Sequence, residues 1–236
     1  MKFLTLLAIA SATATPVWVG HFAAPGAVAA PWKMIPYEGK PSTAYRVANV
    51  GGRIAIEARF DRSMSLMARP IDIDLSAYPV LCWRWWVDGP VAKADMSSKS
   101  GDDFAARVYV AFDMPDSALS GSTKFKLKMA RAMFGRALPD AAIVYVWDNR
   151  HPVGTAAKSS YTDRSQLIVA ETGGGRAGTW VTERADLGAD FAKAFGQKPG
   201  RPVQLAVAAD GDNTKSKGRA AFADLHFVAR GQPCAF

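Results

Sequence analysis

The chain has 236 residues, 49% of them apolar and 21% charged, with two cysteines and a formal net charge of +8. That composition excludes a largely disordered polymer, a disulfide-stapled miniature scaffold and a cysteine-rich zinc module. The length suffices for one sizeable domain with its own core, and the charge favours anionic partners without choosing among them.

The N-terminus reads as an export signal. Met1-Lys2 supplies a positive start, Phe3 to Ala10 an apolar core, and Ala27-Val28-Ala29-Ala30 a run of small residues. On that pattern cleavage is expected after Ala29, leaving residues 1–29 as leader and 30–236 as a single domain in the periplasm or secreted. An earlier small-residue site, Ala12-Thr13-Ala14, leaves a very short leader. Pro16, Gly20 and Pro25-Gly26 interrupt the run before the roughly 20 apolar residues of a membrane span accumulate. No transmembrane anchor is therefore expected after cleavage. In an oxidising compartment Cys82 and Cys234 have two readings, a disulfide between them or a buried free thiol at Cys82. No nucleophile motif marks a catalytic cysteine.

Beyond Pro31 the sequence predicts strands over 44–49, 53–60, 64–70, 79–88, 104–113, 141–149, 164–171, 179–186, 203–210 and 219–229. Many are period-2 runs rich in β-branched or aromatic residues, at the spacing of a sandwich or barrel. Asn49-Val50-Gly51-Gly52 marks a hairpin turn, and Gly173-Gly174-Gly175 reads as a hairpin tip. Helices are predicted over 122–135 and 188–195, the second stopping at Gly196. In the first, Phe125, Met129 and Met133 align beside Lys124, Lys126 and Lys128. Such a helix either packs its apolar stripe on the sandwich or meets an anionic surface. Nucleic acid is not an expected partner, because the other basic residues are dispersed along an exported chain.

Alternation assigns faces to these strands. Ala106, Val108 and Val110 oppose Arg107 and Tyr109; Trp83 and Trp85 oppose Arg84 and Trp86; Val144 and Val146 oppose Tyr145 and Trp147. If the strands share one sheet, Arg84, Trp86, Asp103, Arg107, Tyr109, Tyr145, Trp147 and Asp210 meet on one polar-aromatic surface, with Ala206 and Ala208 leaving room above it. Aromatic rings stack on sugar faces while Arg and Asp orient hydroxyls or carboxylates. The competing reading has helix 122–135 cover this face as a second core, with Arg107 paired to Asp103 or Asp210.

Asp210-Gly211-Asp212-Asn213-Thr214 and Asp102-Asp103 suggest a hard cation, with Asp210 and Asp212 as candidate ligands of a structural Ca²⁺. The alternative is a turn held by Asx hydrogen bonds. An EF-hand is excluded, since the twelfth position is Ala221 rather than Glu. No other cofactor is expected. Asp102, Asp103, Asp148, Asp210 and Asp212 are the acids available to a glycosidase-like pair, and no motif selects two of them. His226 alternates with Phe222, Asp224 and Val228, which reads as a strand face.

Five blocks stand out in order: Leu81-Cys82-Trp83-Arg84-Trp85-Trp86, Gly101-Asp102-Asp103-Phe104-Ala105-Ala106-Arg107-Val108-Tyr109-Val110, Ile143-Val144-Tyr145-Val146-Trp147, Phe195-Gly196-Gln197-Lys198-Pro199 and Asp210-Gly211-Asp212-Asn213-Thr214. Together they resemble the domain-of-unknown-function family numbered 3047, a set of bacterial exported proteins, over residues 32–230. Val144 departs from that family, which tends to have Asn there. The resemblance implies a β-rich domain similar to the jelly-roll sandwiches of carbohydrate-binding modules, and brings no activity, cofactor or catalytic residue. The expectation is an all-β antiparallel jelly-roll sandwich with one or two short helices that binds a carbohydrate-like ligand, acidic sugars included. A polysaccharide-cleaving enzyme using Asp residues on the same scaffold is the alternative. So is a cell-envelope interaction protein without a small-molecule site.

Overall fold

The computed structural model describes residues 14–134 and 139–236. Its strands are β1 (Val17–Gly20), β2 (Lys33–Pro36), β3 (Ala44–Val50), β4 (Arg53–Asp61), β5 (Ser65–Pro70), β6 (Val80–Val87), β7 (Ala106–Asp113), β8 (Ala141–Asp148), β9 (Ala156–Ser159), β10 (Thr162–Thr172), β11 (Val181–Asp186), β12 (Arg201–Ala208) and β13 (Lys217–Val228). Helix α1 (Gly121–Phe134) joins β7 to β8, and α2 (Leu187–Phe195) joins β11 to β12. Every predicted strand forms, its ends within two residues of the expected ones. β2 and β9 are four-residue strands, too short for an alternation to show. β1 lies inside the segment expected to be leader, whose apolar core falls outside the described residues.

The strands build two sheets. One has the order β11-β6-β13-β4-β3, with β1 also on β13; the other runs β2-β5-β12-β7-β8-β10-β9. All pairings are antiparallel except β8 with β10. This is the expected jelly-roll-like β-sandwich. The β3–β4 turn sits at Gly51-Gly52, as predicted, with Asn49 Oδ1 accepting from Gly52 N. Gly173-Gly174-Gly175 is not a hairpin tip: β10 belongs to the seven-stranded sheet and β11 to the six-stranded one, so the glycines cross between sheets.

Alternating side chains from the two inner faces meet as a buried aromatic core. Trp83 and Trp85 of β6 face Tyr145 and Trp147 of β8, with ring centroids 5.1 Å apart for Trp83–Tyr145 and 5.7 Å for Trp85–Trp147. Their polar atoms are largely provided for, since Tyr145 Oη donates to Asp190 and Trp147 Nε1 to the Gly173 carbonyl. Truncating one such ring to alanine typically costs about 3–5 kcal/mol. α2 starts where Asp186 accepts from Ala189 N and stops at Gly196 in the left-handed conformation, and its Phe191 packs on Phe112. α1 departs from expectation. Among its described side chains Leu127 is buried, whereas Phe125 and Met129 are 66% and 51% exposed. The Met133 side chain and residue 135 lie outside what is described. No described helix is long and apolar enough to cross a membrane.

Of the two readings of the cysteines, the disulfide is the one formed, joining Cys82 on β6 to Cys234 beyond β13 with Cα atoms 5.9 Å apart. His226 lies beside the bridge with both ring nitrogens engaged, Nδ1 donating to Asp224 O and Nε2 accepting from Ala235 N. Burial lowers its pKa. A crosslink between residues 152 apart restricts the unfolded chain strongly, for a typical gain of about 2–5 kcal/mol. Denaturant unfolding of a Cys82→Ser, Cys234→Ser double variant is expected to show a loss of that size. Coincident curves for variant and parent would refute the bridge's role.

Candidate functional site

The second and fifth sequence blocks meet at one end of the seven-stranded sheet. Arg107 leaves β7 on the outer face and is only 4% exposed. Its Nε donates to Asp210 Oδ1 at 2.8 Å and its Nη2 to Asp210 Oδ2, a fork-to-fork pair. Nη1 reaches Asp102 Oδ1 at 3.2 Å, and the Asp102 carbonyl accepts from Nη2. The guanidinium also lies 4.5 Å from the Phe104 ring centre. Asp103, fully buried, accepts from Asn213 N, Asn213 Nδ2 and Thr214 N. Loop 101–105 and loop 209–216 are thus latched together twice, by a cation and by a carboxylate.

Each of these loops is tightly folded at a glycine. A Cβ on Gly211 would lie 2.4 Å from the Ser216 carbonyl oxygen, and one on Gly101 would lie 2.8 Å from the Asp95 backbone nitrogen. No side chain fits either place.

Burial pushes the Asp210 carboxyl up to about 7; Arg107 pulls against that shift while Asp103 and Asp102 add to it. Burial also opposes charge on Arg107, but the carboxylates of Asp102 and Asp210 outweigh it and keep the guanidinium protonated. Oxygens of Asp103, Asp210 and Asp212 lie within 4.8 Å of one another. Lys40, from the β2–β3 loop, pairs with Asp212 Oδ2, whereas Asp212 Oδ1 is buried with no partner among the described residues.

Around this network stand three tyrosines. Tyr109 on β7 is half-buried, with its pKa raised by burial. Tyr37 and Tyr161 come from the β2–β3 loop and the β9–β10 turn and are 42% and 52% exposed. Tyr161 Oη lies 3.3 Å from Lys99 O and 3.4 Å from Asn213 Oδ1, with the Lys99 ammonium 5.3 Å from its ring centre. Both exposed rings feel the charges of Arg107, Asp102 and Lys40.

Of the eight residues expected on one surface, Asp103, Arg107, Tyr109 and Asp210 come together here. The other four do not. Register decides Tyr145 and Trp147: Arg107 pairs with Val146 and Tyr109 with Val144, so the valines share the polar side and the aromatics point between the sheets. Arg84 and Trp86 sit on β6 of the other sheet and face away from Arg107 on the opposite outer surface. Asp148 caps a turn instead, accepting from Arg150 N, His151 N and His151 Nδ1. Tyr37, Lys40 and Tyr161 were missed because isolated aromatic and basic residues in turns leave no periodic trace.

The model of the family described as "Protein of unknown function (DUF3047)" matches residues 30–226. The chain belongs to the DUF3047 family. No curated protein matches it. Among solved structures, it is similar to the family 30 carbohydrate-binding module of a cellulosomal cellulase of Clostridium thermocellum, at 12% identity and a TM-score of 0.40, over 93% of this chain and 96% of that one. It is also similar to a mutant ENZbleach xylanase, at 10% identity and a TM-score of 0.47, over 96% and 93% of the two chains.

The opposite outer face of this DUF3047 protein carries a separate charge network. Glu57 on β4 is fully buried and accepts from Arg46, Arg59 and Arg219. Arg219 also covers the ring of Trp86, which packs with Trp180 over Ala48, Ala55, Ala221 and Ala223. Arg84 donates to Asp224 Oδ2 at 2.7 Å and lies over the Phe236 ring. Arg84 and Trp86 are therefore committed to internal partners.

Two outcomes follow from these networks. Replacing Arg107 by Met leaves Asp102 and Asp210 buried against no cation, and a loss of about 3–5 kcal/mol in denaturant unfolding is expected; a change below 1 kcal/mol would show that the latch is dispensable. Burial opposes ionisation of Glu57, but hydrogen bonds from Arg59, Arg46 and Arg219 outweigh it and hold its carboxyl down to about 2, against an ordinary 4.5. Its stabilising contribution is complete above pH 4.5 and is lost as pH falls toward 2. The acid limb of stability against pH is expected to flatten in Glu57→Gln, as measured by thermal melts between pH 2 and pH 6.

Proposed function

We propose that this protein is an exported binding domain for a carbohydrate-like ligand, held across the loop-built patch of Tyr37, Lys40, Lys99, Asp102, Tyr161 and Asn213. The observation that carries the proposal is the pair of exposed tyrosine rings, Tyr37 and Tyr161, on separate loops within electrostatic reach of the buried Arg107 and Asp102. Flat rings supply stacking faces for sugars, and fixed polar groups between them orient hydroxyls. Lys99, whose ammonium lies over the Tyr161 ring, favours acidic sugars through charge, whereas Lys40 is engaged by Asp212. Arg107 is fully engaged, so it positions the loops rather than touching a ligand. Export is supported by the apolar N-terminal run and by the disulfide, which persists in oxidising compartments.

A glycan array containing neutral and uronic-acid polymers tests the assignment. Tyr37→Ala and Tyr161→Ala are each expected to weaken binding by about tenfold or more with an unchanged melting temperature, since a hot-spot aromatic contributes about 2 kcal/mol. Lys99→Ala is expected to weaken only acidic glycans. Failure of the parent protein to retain any glycan, or full binding by the double tyrosine variant, would remove this reading.

A hard cation at Asp103, Asp210 and Asp212 is a second reading, favoured by the unpartnered Oδ1 of Asp212. Such an ion would draw Asp212 away from Lys40. Millimolar Ca²⁺ is then expected to raise the melting temperature, reversibly with chelator, and not to do so in Asp212→Asn. A melting curve indifferent to Ca²⁺ in the parent excludes it.

A further inference from the structure

We infer that leader cleavage in this chain falls after Ala14, within Ala12-Thr13-Ala14, so that the exported protein keeps β1 as a permanent strand of its six-stranded sheet. The inference rests on the export reading given above, and its basis is the way residues 14–32 are built into the fold.

β13 has one edge to be covered by two different strands. β4 pairs with its first half, from Lys217 to Phe222, and β1 with its second half, where Val17 meets Phe227, Trp18 meets His226 and Gly20 meets Leu225. Asp224, with φ of 55°, marks the break between the two halves. Without β1 the backbone of residues 225–227 presents an open edge beside a buried core, a template for wrong pairing.

The side chains agree with the backbone. Val19 is 4% exposed, and Val17, Phe22 and Val28 pack on the main core. At Gly20 the approach to Leu225 is so close that a Cβ would lie 2.5 Å from Leu225 Cδ1. The Trp18 ring stacks on His226 at 4.5 Å, Arg69 Nη1 donates to Val19 O, and Gly26 exchanges both backbone hydrogen bonds with Val47. Cleavage after Ala29 would discard every one of these contacts.

The sequence upstream suffices for a signal without them. Met1-Lys2 is the charged start, and Phe3 to Ala10, apolar except for Thr5, falls within the core of about 7–15 residues, while the 14 residues to Ala14 make a leader just under the ordinary span of about 15–30. Ala12 and Ala14 then supply the small residues before the cut, and Thr15 rather than Pro16 follows it. The Ala14 carbonyl already lies at the surface, accepting from Gln232 Nε2. Because the family match begins at residue 30, β1 lies outside it.

Two measurements decide the matter. The full chain is expressed with its own N-terminus in a bacterial host, and the exported product is read by intact mass and N-terminal sequencing. An N-terminus at Thr15, and uncut material in Ala14→Leu but not in Ala29→Leu, is the expected result; an N-terminus at Ala30 or Pro31 overturns the inference. Independently, chains 15–236 and 30–236 are fused to the same heterologous leader and melted. The shorter chain is expected to melt lower by roughly 10 °C or more, or to aggregate; equal melting temperatures overturn the role of β1. An uncut chain held inside the cell defeats the export reading itself, and with it any cut after Ala14, while the comparison of the two fused chains still decides whether β1 belongs to the fold.

Discussion

A guanidinium with 4% exposure cannot stand without counter-charge, and the polar end of this sandwich is organised by that requirement at Arg107. β7 fixes the Arg107 backbone, and the side chain then dictates where Asp102 and Asp210 must sit. Two loops of unrelated sequence position are thereby drawn together, and the buried Asp103 completes the latch through the amides of Asn213 and Thr214. A buried ion pair adds less to net stability than its count of hydrogen bonds suggests, because both partners lose their water. Its stronger contribution is specificity of arrangement. The loops that carry Lys99, Asp102 and Asn213 have one position consistent with satisfied charges, and Tyr161 is placed by contact with them.

Most of the large buried rings lie inside the sandwich, and the buried charge networks lie on its outer surfaces. The indoles of Trp83, Trp85 and Trp147 lie between the sheets, where ring packing and area burial dominate. The arginines lie on the two outer surfaces, around Glu57 on one and among the Asp102–Asp210 carboxylates on the other. The two outer networks differ in kind. Glu57 is a single buried carboxylate among three arginines that are themselves partly in water. Arg107 is a single buried cation among carboxylates, with tyrosines from neighbouring loops beside it. The second arrangement leaves polar groups and exposed rings on the same side, which is why the binding proposal rests there.

β1 and the C-terminal tail converge on the second half of β13. β1 covers its edge, while Cys234, Ala235 and Phe236 return to Cys82, His226 and Arg84. His226, read from sequence as a strand-face residue, is the point where these attachments meet. Its two ring nitrogens are both used by backbone groups, so it anchors the tail and is unsuited to proton transfer.

Local pattern was enough for every strand of six or more residues, the two helices and the Gly51-Gly52 turn, because alternation and turn chemistry act within about ten residues. It was also enough to bring Asp103, Arg107, Tyr109 and Asp210 into one candidate site, since polar residues in an apolar strand have few places to go. Membership of a strand in one sheet or the other is not local, and this separated Arg84 and Trp86 from Arg107. Register is not local either: the pairing of Arg107 with Val146 sent Tyr145 and Trp147 to the core, although the alternation of each strand had been read correctly. The same limit applies to Tyr37, Lys40 and Tyr161, which approach the network only because loops close over it, and to β1, whose four residues become a strand only beside β13. The alternation of apolar and polar residues thus sets a β-rich chain, and its composition gives that chain a formal net charge of +8. Only long-range pairing decides which of its charges are consumed inside the protein and which remain at a surface.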